Sequence, residues 1–71
     1  MLILTQNDEA CVNVSNFESI EAYENGEILL TTYTGTEYRL GKYDSQERAK
    51  EVVGELFSLI GCSSRYNMPI I

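Results

Sequence analysis

The residues of this chain able to do chemistry are few and badly placed for it. There is no histidine, so the commonest general base and metal ligand is missing. Cys11 and Cys62 stand near opposite ends of the chain and fit no CxxC spacing. Neither has an imidazole to activate it, and a zinc site would need scattered carboxylates. The spacing leaves a Cys11–Cys62 disulfide open; the simpler reading is two reduced thiols, at least one half-buried. Serine and threonine are plentiful, yet no GxSxG or SxxK marks a nucleophile. Lys42 and Lys50 are possible bases with nothing around them that points to burial. Asp8-Glu9 is an acid pair in a turn signal, better read as solvated than catalytic. The five glycines are too scattered for a phosphate loop. We therefore expect a protein that works by binding, without a catalytic set, a metal or a cofactor.

Two sets of side chains remain as candidate binding surfaces. Glu18, Glu21, Glu24, Glu27 and Glu37 fall on neighbouring strand-like runs. They could mimic nucleic-acid phosphates or dock on a basic protein, or they could serve solubility and protect sheet edges. Arg39, Lys42, Tyr43, Arg48, Arg65 and Tyr66 form a basic and aromatic set. Arginine and tyrosine together could clamp a phosphate and stack a base near a helix N-terminus; alternatively Asp44, Glu47 and Glu51 neutralise these cations locally. The net charge of −6 is unevenly placed. Residues 1–38 carry seven acidic and no basic side chains, whereas 39–71 carry all five basic ones against four acidic. General nucleic-acid binding is therefore not expected, while the local basic cluster leaves a small anionic ligand such as a nucleotide open.

The elements that must position these residues read as a single α+β domain, with a sheet over 1–43, a helix over 44–61 and an apolar tail over 62–71. At 71 residues the core is marginal, since such a chain buries only about 60% of its unfolded surface. Homo-oligomerisation is the expected supplement. Leu2–Thr5 reads as a buried strand, Gln6–Glu9 as a turn and Ala10–Val14 as an alternating strand broken by Ser15-Asn16. Phe17–Tyr23 is the third strand. Asn25-Gly26 predicts a two-residue type I′ hairpin. Such a loop pairs Glu24 with Glu27, Tyr23 with Ile28, Ala22 with Leu29, Glu21 with Leu30 and Ile20 with Thr31. Both faces are then partly apolar, and one helix can cover only one of them. Thr34-Gly35 is the next turn, and Thr36–Tyr43 the last strand of about five in an antiparallel meander. Tyr38 and Leu40 are expected inward; Glu37, Arg39 and Tyr43 point the other way.

The helix is predicted over Ser45–Ile60, with Asp44 as N-cap and Glu47 completing a capping box. Ala49, Val52, Val53, Leu56, Phe57 and Ile60 follow the spacing of one buried face, and Gly61 sits where a C-cap glycine belongs. Gly54 is either a close-approach point or, more simply, a tolerated glycine. In the tail, Pro69 excludes a regular helix. The apolar Tyr66, Met68, Ile70 and Ile71 are expected to dock on the sheet or on a neighbouring subunit. No apolar run approaches the ~20 residues of a membrane span. Met1–Leu4 is too short and uncharged for a signal peptide, so a cytoplasmic location without membrane contact is expected.

The run Leu40-Gly41-Lys42-Tyr43-Asp44-Ser45-Gln46-Glu47-Arg48-Ala49-Lys50-Glu51-Val52 and the later Tyr66-Asn67-Met68-Pro69 resemble a group of short proteins from Firmicutes and their phages. These carry an "LGxYxSxERAKEV" segment, a "YxMP" and an opening "ILxQD"-like strand, to which Ile3–Asp8 is similar. The resemblance implies small size, cytoplasmic residence and a link to mobile elements; it implies no activity and transfers no functional residue. The sequence thus leads to a phage-type binding protein, in its most concrete form an anti-defence protein sequestering a nucleotide signal between subunits. The alternatives are an acidic protein–protein inhibitor or nucleic-acid mimic, and a housekeeping adaptor of pleckstrin-like shape.

Overall fold

The computed structural model describes residues 1–7, 9–13, 17–62 and 64–71. Asp8 of the first turn, Val14 with the Ser15-Asn16 break, and Ser63 of the tail lie outside the described residues. The chain is α+β, as expected, but its strands divide differently. Six strands form two sheets among the described residues: β1 (Leu2–Leu4), β2 (Cys11–Asn13), β3 (Ser19–Ala22), β4 (Glu27–Thr31), β5 (Glu37–Lys42) and, after helix α1 (Gln46–Leu59), β6 (Arg65–Asn67). One sheet has the order β2-β1-β6 and the other β3-β4-β5. The expected single sheet of about five strands is thus corrected to two sheets of three, and part of the tail is a strand. β6 lies parallel to β1, Tyr66 beside Ile3. The alternation Tyr66 buried, Asn67 exposed, Met68 buried is what a half-buried strand requires.

Gln6 joins the sheets. Its N–H donates to the Leu40 carbonyl at 2.9 Å. Its side-chain Oε1 accepts from the Lys42 N–H at 2.6 Å, and its Nε2 donates to the Ile70 carbonyl at 2.6 Å. The geometry depends on a bulge in β5, where Ile28 pairs with Gly41 but Leu29 with Arg39. The extra residue, Leu40, inverts the alternation beyond it. Lys42 therefore turns outward and Tyr43, expected outward, is buried. Tyr38 shares a row with Leu30 but is 42% exposed, because α1 packs on β3 and β4.

The Asn25-Gly26 hairpin forms with a different loop. Tyr23 N–H donates to Glu27 O at 2.8 Å and Gly26 N–H to Tyr23 O at 2.9 Å. The loop therefore holds three residues, Glu24-Asn25-Gly26, with Gly26 at φ 87°. This is a turn closed by a left-handed glycine in place of the two-residue type I′. The second hairpin repeats it: Thr32 N–H bonds Thr36 O at 2.9 Å, Gly35 N–H bonds Thr32 O at 3.0 Å, and Gly35 has φ 91°. The register of the first hairpin moves by one residue, pairing Ile20 with Leu30, Glu21 with Leu29 and Ala22 with Ile28. A one-residue slip exchanges the faces of one strand relative to the other. Ile20, Ala22, Ile28 and Leu30 now share the inner face, and Glu21, Leu29 and Arg39 the outer one. The outer face is therefore more polar than expected, with Leu29 between Glu21 and Arg39.

Helix α1 starts one residue later than Asp44 would set it. Ser45, extended at φ −150° and ψ 161°, is the N-cap and accepts from the Arg48 N–H at 3.1 Å. Ala49, Val52 and Leu56 are buried, joining Ile3, Ile28, Leu30 and Leu40 in one core. Each large side chain so buried contributes about 1.5–3 kcal/mol before entropy is counted. Val53 and Ile60 are half-buried, but Phe57, expected inward, is 77% exposed. Gly61 follows the helix at φ 84°, as its position predicts. A Cβ on Gly54 would meet nothing, so it marks no close approach. Ile70 and Ile71 stay exposed, so the tail docks through Tyr66 and Met68 instead.

Candidate functional site

The structure disperses the basic and aromatic set. Arg39 lies on the outer face of β5, 3.3 Å from a Glu27 carboxylate oxygen. Lys42 is exposed at the end of that strand and Arg65 is exposed on β6, in the other sheet. Only Tyr43, Arg48 and Tyr66 come together, and there the chain uses them itself. Tyr43 donates its hydroxyl to the Pro69 carbonyl at 2.7 Å. The Arg48 guanidinium sits 5.8 Å from the Tyr43 ring centroid, 3.4 Å from Glu51 Oε1 and 2.9 Å from the Ile71 carbonyl oxygen. Tyr66 is buried and donates to Glu55 Oε1 at 2.8 Å. These bonds fasten the tail across α1, and the burial of both tyrosines leaves their rings little exposed for stacking a base.

Burial first, and then its bond to Glu55, push the Tyr66 phenol far above its ordinary value; burial also raises the Tyr43 phenol, against the opposing Arg48. A raised folded-state value means that the stabilisation is complete below the unfolded phenol's pKa of about 10 and is lost as pH rises past it. Urea midpoints measured from pH 8 to 11.5 should therefore fall at the alkaline end. Tyr66→Phe, which cannot ionise, should flatten that fall while lowering the unfolding free energy at pH 8 by about 1 kcal/mol for the lost hydrogen bond. An equally steep fall in the variant would remove Tyr66 as its source.

The acidic set is brought together by β3, β4 and β5. The registers place Glu21, Leu29 and Arg39 in one outer row and Ser19, Thr31 and Glu37 in the next. Glu18 precedes β3, and Glu24 lies in the loop that leads to Glu27. Of the five, only Glu27 forms an ion pair among the described residues. Its carboxyl is held below the usual range by the Asn25 amide, 2.8 Å away, and then by Arg39. Glu21, then burial, then Glu37 raise the Tyr23 phenol. A shallow concavity lined by Tyr23, Glu24, Asn25, Glu27 and Leu29 opens beside them.

Sequence reasoning missed the deeper feature, a groove of ≈ 450 Å³ between β3 and α1. Phe17, Glu18, Ser19 and Ile20 form one wall, and Val53, Leu56, Phe57 and Ile60 the other. The signal was the width of the helix's apolar stripe. Six apolar positions are more than a two-strand contact can cover, and Phe57 is the one left out. Cys11 and Cys62 are free and both exposed, against the expectation that one is half-buried. Among the described residues no three His, Cys, Asp or Glu side chains converge as a metal site, and no helix is long and apolar enough to cross a membrane. Comparison with family models, with curated proteins and with solved structures finds no match to this chain.

Proposed function

We propose that this chain is a non-catalytic docking module that acts by occupying a basic surface of a partner protein. The observation that carries this reading is that Glu21 and Glu37 on β3 and β5, with Glu18 and Glu24 at the two ends of β3, are all exposed and have no ion-pair partner among the described residues. The lack of histidine or any nucleophile motif supports action by stoichiometry. The nucleotide-sequestering reading is less favoured, because Arg39 and Arg48 already have carboxylate partners and the tyrosine hydroxyls have acceptors within the chain.

The test is binding of a labelled lysine-rich peptide at 50 and 300 mM salt, alongside thermal shifts with a nucleotide panel. Surface charge pairs weaken as the Debye length shrinks, so affinity should fall with salt. It should fall about tenfold in Glu21→Lys/Glu24→Lys, the equivalent of roughly 1.4 kcal/mol. The charge-matched Glu9→Lys/Glu51→Lys should stay close to the parent. Equal loss in both variants, or stabilisation by a nucleotide alone, defeats the proposal.

A further inference from the structure

The groove between β3 and α1 lies beside a strand edge that pairs with no other strand among the described residues. β3 is the outer strand of its sheet. The Tyr23–Glu27 bond and the register set the phase of the ladder. Glu21 and Tyr23 direct their main-chain groups at β4, and the Glu18 N–H also turns to β4, donating to the Thr31 carbonyl at 2.7 Å; the main-chain groups of Ile20 and Ala22 between them are directed at the other side. Of these, the Ala22 carbonyl already accepts from Gln46 Nε2 at 3.3 Å. That bond holds the N-terminal end of α1 against the strand, while Ile60, at the other end, lines the groove opposite Phe17 and Glu18. The helix therefore runs alongside the edge as a second wall without closing it. Phe57, 77% exposed, stands at the mouth.

An edge strand flanked by an apolar groove accepts an extended segment by strand addition, with main-chain bonds giving affinity and alternate side chains giving specificity. The charge pattern says which segment. A strand laid beside β3 continues its pleat, so every second side chain falls on the Ile20 face, into the groove against Val53 and Phe57. The side chains between fall on the outer face, across from Glu21 and Tyr23, where cross-strand neighbours of opposite charge are favoured. A second copy of this chain is the weaker fit, because its β3 brings the acidic Glu21 and no lysine or arginine to face Glu21.

We propose that the β3–α1 groove binds an extended peptide segment of another protein in which apolar residues alternate with lysine or arginine. The proposal rests on the reading that the acidic sheet docks on a basic partner, and it adds the mode. The probe is a fluorescein-labelled peptide of alternating valine and lysine, compared with a peptide of the same composition in two blocks, valines then lysines, and with an alternating one N-methylated on the amides that would face β3. Anisotropy should show the alternating peptide binding at micromolar strength and the other two at least about tenfold more weakly. Phe57→Ser, a change at an exposed side chain, should weaken the alternating peptide by a similar factor without lowering the thermal midpoint, which confirms that the variant is folded.

Equal affinity for all three peptides, lost only in Glu21→Lys/Glu24→Lys, overturns strand addition and leaves charge docking standing. No binding of any lysine peptide defeats both. Sedimentation showing a stable dimer that Phe57→Ser dissociates would assign the groove to a second copy instead.

Discussion

Gly26→Ala is expected to cost about 3 kcal/mol or more, and Gly35→Ala only about 1–2 kcal/mol, although the two glycines close the same kind of turn. Both have positive φ, 87° and 91°, where an L side chain costs roughly 1–2 kcal/mol. They differ in surroundings. A Cβ on Gly35 meets nothing within 4 Å, whereas one on Gly26 would overlap the carbonyl oxygen of Tyr43. That neighbour cannot swing aside. Tyr43 N–H donates to Gly26 O at 2.9 Å, and the Tyr43 hydroxyl is tied to Pro69. Relieving the overlap must strain this packing, typically at 1–3 kcal/mol. For a domain of this size 3 kcal/mol lowers the melting temperature by about 12–24 °C. Thermal unfolding followed by circular dichroism measures both variants. Equal shifts would mean that the Gly26–Tyr43 approach is not holding the hairpin against the end of β5.

Local signals gave the elements, and long-range ones decided how they pair. The helix was legible because Ala49, Val52 and Leu56 repeat at its period and Gly61 ends it; its N-cap was misplaced because Asp44 and Ser45 are both good caps and only geometry chooses. Asn25-Gly26 located the hairpin but not its register. Asn-Gly fits a two-residue loop with both residues left-handed, and also a three-residue loop with only the glycine so. The choice between them decides whether Glu21 pairs with Leu29 or Leu30. The split into two sheets had no local signal at all. The two sheets are tied together by Gln6, which reads as a turn residue while its side chain bonds the Lys42 N–H and the Ile70 carbonyl. Parallel pairing of β6 with β1 joins opposite ends of the chain and leaves no mark in either segment beyond the alternation of Tyr66 and Met68.

The site followed the same division. Four of the five acidic residues lie on or next to the β3–β4 hairpin and Glu37 on the strand after it, so local contacts sufficed to group them. The basic set was grouped by proximity along the sequence near the strand-to-helix junction. The bulge at Leu40 then turned Tyr43 inward, the salt bridge drew Arg39 to Glu27, and β6 carried Arg65 to the other sheet.

Leu56→Ala and Phe57→Ala separate the two uses of the helix's apolar stripe. Leu56 is 1% exposed and lies within the core. Its truncation removes buried contacts and leaves a cavity, with an expected loss of about 2–5 kcal/mol. In a chain this small, whose single core supplies roughly 3–5 kcal/mol of net stability, that is enough to leave much of the population unfolded at 37 °C. Phe57 is larger and sits one position along the same stripe, yet it is 77% exposed, so Phe57→Ala should stay within about 0.5 kcal/mol of the parent. Urea denaturation of both variants gives the comparison. If Phe57→Ala proves as damaging as Leu56→Ala, the phenylalanine is packed in solution and the β3–α1 groove is closed, and strand addition would lose its site. If the costs divide as expected, stability cannot be what Phe57 serves. A large apolar side chain on the rim of the groove, beside β3, then remains available for the peptide binding proposed above.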